Sequence, residues 1–179
     1  MKTVLAVAAL VASTSAQADS ITLGYFYDDQ RDSDITNETV SVSYKKNLHK
    51  NLDFDLGFTD AERSDGRELN RYTVGITPKY KNLSLALRVG KKHIPNQETV
   101  NFYMIEPAYR FKITNKLDLS LAYNYREAFG DADDLRHGPK LSVGYKLDET
   151  WKASLGYFMY TNSRDQDTDR FIISITKSF

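Results

Sequence analysis

The stretch Asp53-Phe54-Asp55-Leu56-Gly57-Phe58-Thr59 puts Phe54, Leu56 and Phe58 on one side of an extended chain and Asp53, Asp55, Gly57 and Thr59 on the other. Successive side chains of a β-strand point to opposite faces, so a two-residue period with one wholly apolar face reads as a strand. The period recurs along the chain. Leu83, Leu85, Leu87 and Val89 oppose Ser84, Ala86, Arg88 and Gly90; Leu119, Leu121, Tyr123 and Tyr125 oppose Ser120, Ala122, Asn124 and Arg126; Phe171, Ile173 and Ile175 oppose Arg170, Ser174 and Thr176. About ten such segments can be counted, each near the roughly 9–11 residues that a tilted strand needs to cross hydrocarbon.

The connections between them alternate. Asn47 to Asn51, Lys81-Asn82, Thr114 to Lys116 and Asp148-Glu149 are tight, whereas Asp28 to Asn37, Ala61 to Leu69, Lys91 to Thr99, Glu127 to His137 and Thr161 to Asp169 are long and charged. Short turns at one end and longer loops at the other belong to a membrane barrel. Tyrosine and phenylalanine gather at both ends of the apolar face, where rings meet lipid and head groups. A soluble barrel or sandwich would instead turn its apolar face inward. The expected fold class is all-β, a transmembrane antiparallel up-and-down β-barrel of about ten strands, with eight or twelve as alternatives. Pro78 and Pro107 fall inside strand patterns, where a missing N–H marks a bulge or a strand end.

The N-terminus fits export. Lys2, the apolar run Val4 to Val11 and Ala16-Gln17-Ala18 make a secretory signal peptide over residues 1–18, followed by one barrel domain over residues 19–179. Cysteine is absent, so closure of the barrel, not disulfides, must hold an extracytoplasmic chain together. The formal charge is zero over the whole sequence, which argues against a nucleic-acid partner. The expected location is the cell outer membrane, with lipid and lipopolysaccharide as surroundings.

Two C-terminal stretches carry a family resemblance: Leu135-Arg-His-Gly-Pro-Lys-Leu-Ser-Val-Gly-Tyr-Lys-Leu-Asp-Glu-Thr-Trp-Lys-Ala153 and Asp169-Arg-Phe-Ile-Ile-Ser-Ile-Thr-Lys-Ser-Phe179. With Glu106-Pro-Ala-Tyr-Arg-Phe111 and Leu117 to Arg126, they resemble the oligogalacturonate-specific monomeric porins, the KdgM-like family, whose members have twelve strands and a longer chain. The resemblance implies a narrow monomeric channel for acidic oligosaccharides with an arginine-lined lumen. Terminal Phe179 resembles the signal read by the barrel-assembly machinery.

The lumen positions that match are Arg110 and Arg126; Arg71 and Arg88 point the same way by alternation, and Glu106 is expected to narrow the passage at mid-barrel. Guanidinium forks stay charged and bind carboxylates in bidentate fashion, so these five residues are the expected pore lining for small anionic solutes. The alternative is a filled barrel in which the basic residues pair with Asp53, Asp55, Glu106 and Asp118, leaving a structural or adhesive role to the loops. Six glycines on the polar face, at 24, 57, 75, 90, 144 and 156, favour an open lumen because small residues leave space. No catalytic, cofactor or metal site is expected. Asp131, Asp133, Asp134 and His137 are the only acids-plus-histidine group of an outer-membrane hydrolase, and they share one polar loop.

Overall fold

The structure is a computed structural model that describes residues 20–179 apart from Asp32, Asn96, Asp131 and Asp133; the expected signal peptide lies outside the described residues. Ten strands follow one another: β1 (Ser20–Gln30), β2 (Thr36–His49), β3 (Leu52–Arg63), β4 (Glu68–Tyr80), β5 (Leu83–His93), β6 (Val100–Lys112), β7 (Leu117–Ala128), β8 (Arg136–Lys146), β9 (Trp151–Asn162) and β10 (Asp167–Ser178). Each pairs antiparallel with its sequence neighbours, and β1 pairs with β10 along its whole length, from Ser20↔Ser178 to Gln30↔Thr168, which closes the barrel. Closure leaves no unpaired strand edge, the condition for placing a sheet in hydrocarbon.

The register sorts side chains as the alternation requires. In β3, Leu56 lies opposite Tyr44 of β2 and Val74 of β4, while Asp55 lies opposite Lys45 and Gly75. The exposed apolar side chains of the molecule are therefore on the outside: Leu23, Leu56, Val74, Leu87, Val89, Leu121, Val143, Leu155 and Ile173 form a belt around it. Water would not tolerate so wide a continuous apolar surface on a monomer, whereas lipid solvates it. Aromatic pairs mark its borders, with Phe58–Tyr72 at 5.0 Å, Tyr103–Tyr125 at 6.1 Å and Tyr157–Phe171 at 5.5 Å near one rim and Tyr109–Phe111 at 4.5 Å near the other.

Two expectations need correction. The connections at the wide end are only four to seven residues long, because β1 and β2, and likewise β7 and β8, continue beyond the apolar belt into stretches whose polarity reads as loop. Backbone pairing carries these extensions without help from lipid-facing side chains, as in Arg126↔Arg136 and Asp28↔Arg170. Pro78 and Pro107 do not end their strands. Both point outward and flank Leu85: Leu85 pairs with Pro107, and the β4–β5 register is unbroken on either side of Pro78, from Ile76↔Leu87 to Lys79↔Ser84. The ladder opens beside each proline and resumes, and the register shift that does occur lies between Asn47 and His49, next to a tight turn.

Candidate functional site: the cationic lumen

The inward face of the long-connection end encloses a vestibule of about 460 Å³. Arg71 on β4, Lys92 on β5, Arg126 on β7, Arg136 on β8 and Arg170 on β10 line it together with Asp28 on β1 and Asp134 from the β7–β8 connection. One pair is saturated. Arg170 donates from Nε and Nη2 to the two oxygens of Asp28 at 2.5 and 2.6 Å, and Tyr160 Oη adds a bond to Asp28 at 3.2 Å. Asp134 is shared: its Oδ1 accepts from Lys92 Nζ at 2.5 Å and from Arg126 Nη2 at 2.7 Å.

Arg126 and Arg136 are each only 6% exposed, yet Nε and Nη1 of Arg126 and Nε of Arg136 have no hydrogen-bond partner among the described residues. Aromatic faces hold them instead. The Arg136 guanidinium lies 5.3 Å from the Phe158 ring centre and 4.9 Å from that of Tyr160; Arg126 lies 5.3 Å and Arg71 6.0 Å from Phe102. Cation–π attraction orients a guanidinium over a ring without neutralising it, so the positive charge is kept on the vestibule wall. Phe102, fully buried, and Phe158 are inward-facing rings packed against these arginines.

Burial alone would raise the Asp134 carboxyl, but the charges of Arg126 and Lys92, with Arg71 behind them, outweigh it and hold the group below the ordinary aspartate range. It is an anion at neutral pH.

Farther toward the tight turns, ion pairs occupy the inward face. Arg88 is bound to Asp55, whose other oxygen takes a bond from Thr77 at 3.1 Å. Glu106 faces Lys140 at 3.6 Å and accepts from Asn124 Nδ2 at 3.0 Å. Nearer the tight turns, Lys79 and Lys45 lie 2.6 and 3.8 Å from Asp53, and Lys152 2.7 Å from Asp118. The four acids considered as fillers of the interior thus bind Arg88, Lys140, Lys45, Lys79 and Lys152, and none of them bonds Arg71 or Arg126. Arg110 stands at the tight-turn end, in register with Ser120 and in line with Lys112.

The inward glycines leave less room than their size implies. A Cβ on Gly24 would come within 2.6 Å of Ser41 Oγ, on Gly57 within 2.5 Å of Thr73 Oγ1, and on Gly90 within 2.6 Å of the Phe102 ring. Neighbouring side chains lean over them, so at these positions the glycines let the interior fill.

The hydrolase arrangement does not assemble around Asp134. His137 is on the outward face, its Nδ1 3.1 Å from Tyr123 Oη and its ring stacked on Tyr123, while Asp134 turns into the vestibule. Asp131 and Asp133 lie outside the described residues.

Several vestibule residues escape the sequence reading. Arg170 and Lys92 carry the right alternation, opposite Phe171 and two positions beyond Gly90. Arg136 and Asp28 sit in charge-rich stretches that read as loop because they carry no sustained apolar alternation. Phe102 and Phe158 oppose the usual pattern, being aromatic and inward.

No protein-family model and no curated protein sequence matches the chain. Solved structures do. The KdgM porin in complex with disordered oligogalacturonate aligns with a TM-score of 0.51 at 16% identity, over 88% of this chain and 99% of its own. The chain shares the fold of outer-membrane porins. The NanC porin aligns with a TM-score of 0.53 at 10% identity, over 89% of this chain and all of its own, and the translocator domain of autotransporter NalP from Neisseria meningitidis with 0.53 at 9%, over 99% and 98%. The likeness of fold therefore extends over most of the barrel. Since a translocator domain shares the same frame, function has to be argued from the lumen.

Proposed function

We propose that this protein is an outer-membrane porin that passes small hydrophilic anions, acidic oligosaccharides among them, and works as a monomer without catalysing a reaction. One observation carries the reading. A chain with no net charge has sorted its charges so that cations outnumber acids on the inward face, and Arg71, Lys92, Arg126, Arg136 and Arg170 line one vestibule together.

Arg71 and Arg126, with Arg136, are assigned the first contact with an entering oxyanion, bound side-on by guanidinium edges. Arg110 and its lysine neighbours attract the solute at the other end, and Glu106, paired with Lys140, limits passage between them. Arg88 is committed to Asp55 and holds that carboxylate, so it shapes the wall rather than binding solute. The printed name of one structural neighbour gives its ligand as oligogalacturonate, a polycarboxylate, which is the charge class this lumen suits.

The buried, inward-facing rings of Phe102 and Phe158 favour a second reading, a closed barrel that does not conduct. Planar-bilayer recording of refolded residues 19–179 in a salt gradient decides between them. Stepwise anion-selective currents, weakened in Arg126→Ala and in Arg71→Ala, are the expected result; a folded but silent barrel would establish the second reading.

A further inference from the structure

Asp134 differs from the other carboxylates of the lumen in what carries it. Asp28, Asp53, Asp55, Glu106 and Asp118 belong to strands, whereas Asp134 comes from the β7–β8 connection and is nevertheless buried among the vestibule cations. It is also incompletely bonded. Its Oδ1 is shared between Lys92 and Arg126, which stand on strands separated by β6, while its buried Oδ2 has no partner among the described residues. Asp28, built into the wall, has both oxygens engaged by Arg170. An acid placed for stability saturates its partner in that manner; Asp134 leaves one of its own oxygens and two donors of Arg126 unmet among the described residues.

We infer that Asp134 is a tethered anion that occupies the oxyanion-binding position of the vestibule, and that solutes bind by displacing it. The inference rests on the reading of the vestibule as an anion path. A carboxylate held on a short connection competes as if present at high local concentration, roughly millimolar or above for short flexible links. A monovalent ion displaces it poorly. A solute with several negative oxygens takes over the Lys92 and Arg126 bonds that Asp134 gives up and brings further charge toward Arg71 and Arg136 on the same wall, so the tether discriminates in favour of polyanions. Asp134 is then a specificity-determining residue of the channel.

The test compares refolded wild type with Asp134→Asn and Asp134→Glu, using inorganic phosphate and citrate as the simplest phosphate and polycarboxylate probes. Binding is read at equilibrium, and amide hydrogen exchange of Asp134 and Leu135 is followed with and without probe. At least ten-fold tighter binding in Asp134→Asn, near-wild-type binding in Asp134→Glu, and faster exchange at Asp134 and Leu135 when either probe binds wild type are expected. Tighter binding of only one probe supports the inference and identifies the oxyanion that the site prefers. Unchanged or weaker binding of both probes in Asp134→Asn, or exchange that the probes leave constant or slow down, overturns it. Should Asp134→Asn fail to refold, the exchange measurement on wild type decides alone. Salt-gradient recording of wild type is read separately: a cation-selective or silent barrel sinks the channel reading, while binding and exchange still decide whether Asp134 yields to an oxyanion.

Discussion

Arg126 of β7 and Arg136 of β8 are direct cross-strand partners, both pointing into the lumen and both buried. Like charges placed opposite each other oppose strand pairing. The pairing persists because the backbone ladder and the rings of Phe102, Phe158 and Tyr160 fix the two guanidiniums, and because Asp134 takes up part of the charge of Arg126. Arg136 has no carboxylate within ion-pair distance among the described residues. A position that costs stability and faces a cavity points to use by a solute rather than to packing.

Replacing Arg136 by Met therefore separates the two roles. A buried cation with no carboxylate partner among the described residues gives way to a side chain that packs on Phe158 and Tyr160, and the barrel gains about 1–3 kcal/mol even after the cation–π contacts are lost. Urea titration in lipid vesicles should show a higher midpoint, while the reversal potential in a salt gradient moves toward zero. A variant that is both less stable and unchanged in selectivity would assign Arg136 to structure alone.

The seam between β1 and β10 carries the opposite case. Asp28 and Arg170 are fully engaged and buried, with Tyr160 completing the set. Asp28→Asn keeps the shape but leaves Arg170 as an uncompensated charge, a change that costs about 3–5 kcal/mol in buried pairs. The check is heat-modified electrophoretic mobility, in which the variant should convert to the unfolded band at a lower temperature than wild type; equal conversion would mean that solvent or ions replace the carboxylate.

What the sequence reveals here depends on which solvent each residue meets. Within the belt, hydrocarbon demands an apolar residue at every second position, so the strands around Leu56, Leu87 and Leu121 are legible and their inward partners follow. Above the belt that demand ends. Residues 127–137 and 28–37 are rich in charge and carry no sustained apolar alternation, and nothing in them separates strand from loop, which is why Asp28 and Arg136 read as loop residues and Asp134 as a solvated acid. Neutral composition likewise hides the cationic lumen, since the sorting appears only once parity is assigned. The glycines mislead for a third reason: a missing side chain says nothing about whether a neighbour leans over it, as Phe102 does over Gly90.

Asp134 also gives the vestibule a pH dependence. Its carboxyl is depressed in the folded barrel by Arg126, Lys92 and Arg71, so it contributes stability that is complete above the unfolded aspartate value near ~3.9 and is lost as pH falls through the lower folded value. Protonation leaves those three cations without their anion. As pH falls below about 4, wild type should lose resistance to urea and become more anion-selective, and Asp134→Asn should show neither change arising from this group. A wild-type profile that stays flat on acidification would mean Asp134 is not the group that balances the cluster.

The inside-out arrangement has the most direct test. Leu155, 63% exposed at the middle of β9, would on a soluble protein be a harmless place for a charge, since water already surrounds it. In a bilayer the same site faces hydrocarbon, and an arginine at the midplane costs about 2–4 kcal/mol. Ser142, opposite Gly156 at a similar height on the lumen side of β8, supplies the control, because an arginine there extends into a passage already lined with cations. Leu155→Arg should lower the urea midpoint in vesicles markedly and Ser142→Arg much less. Equal and small effects would mean that the apolar belt is not in contact with lipid, whatever the barrel encloses.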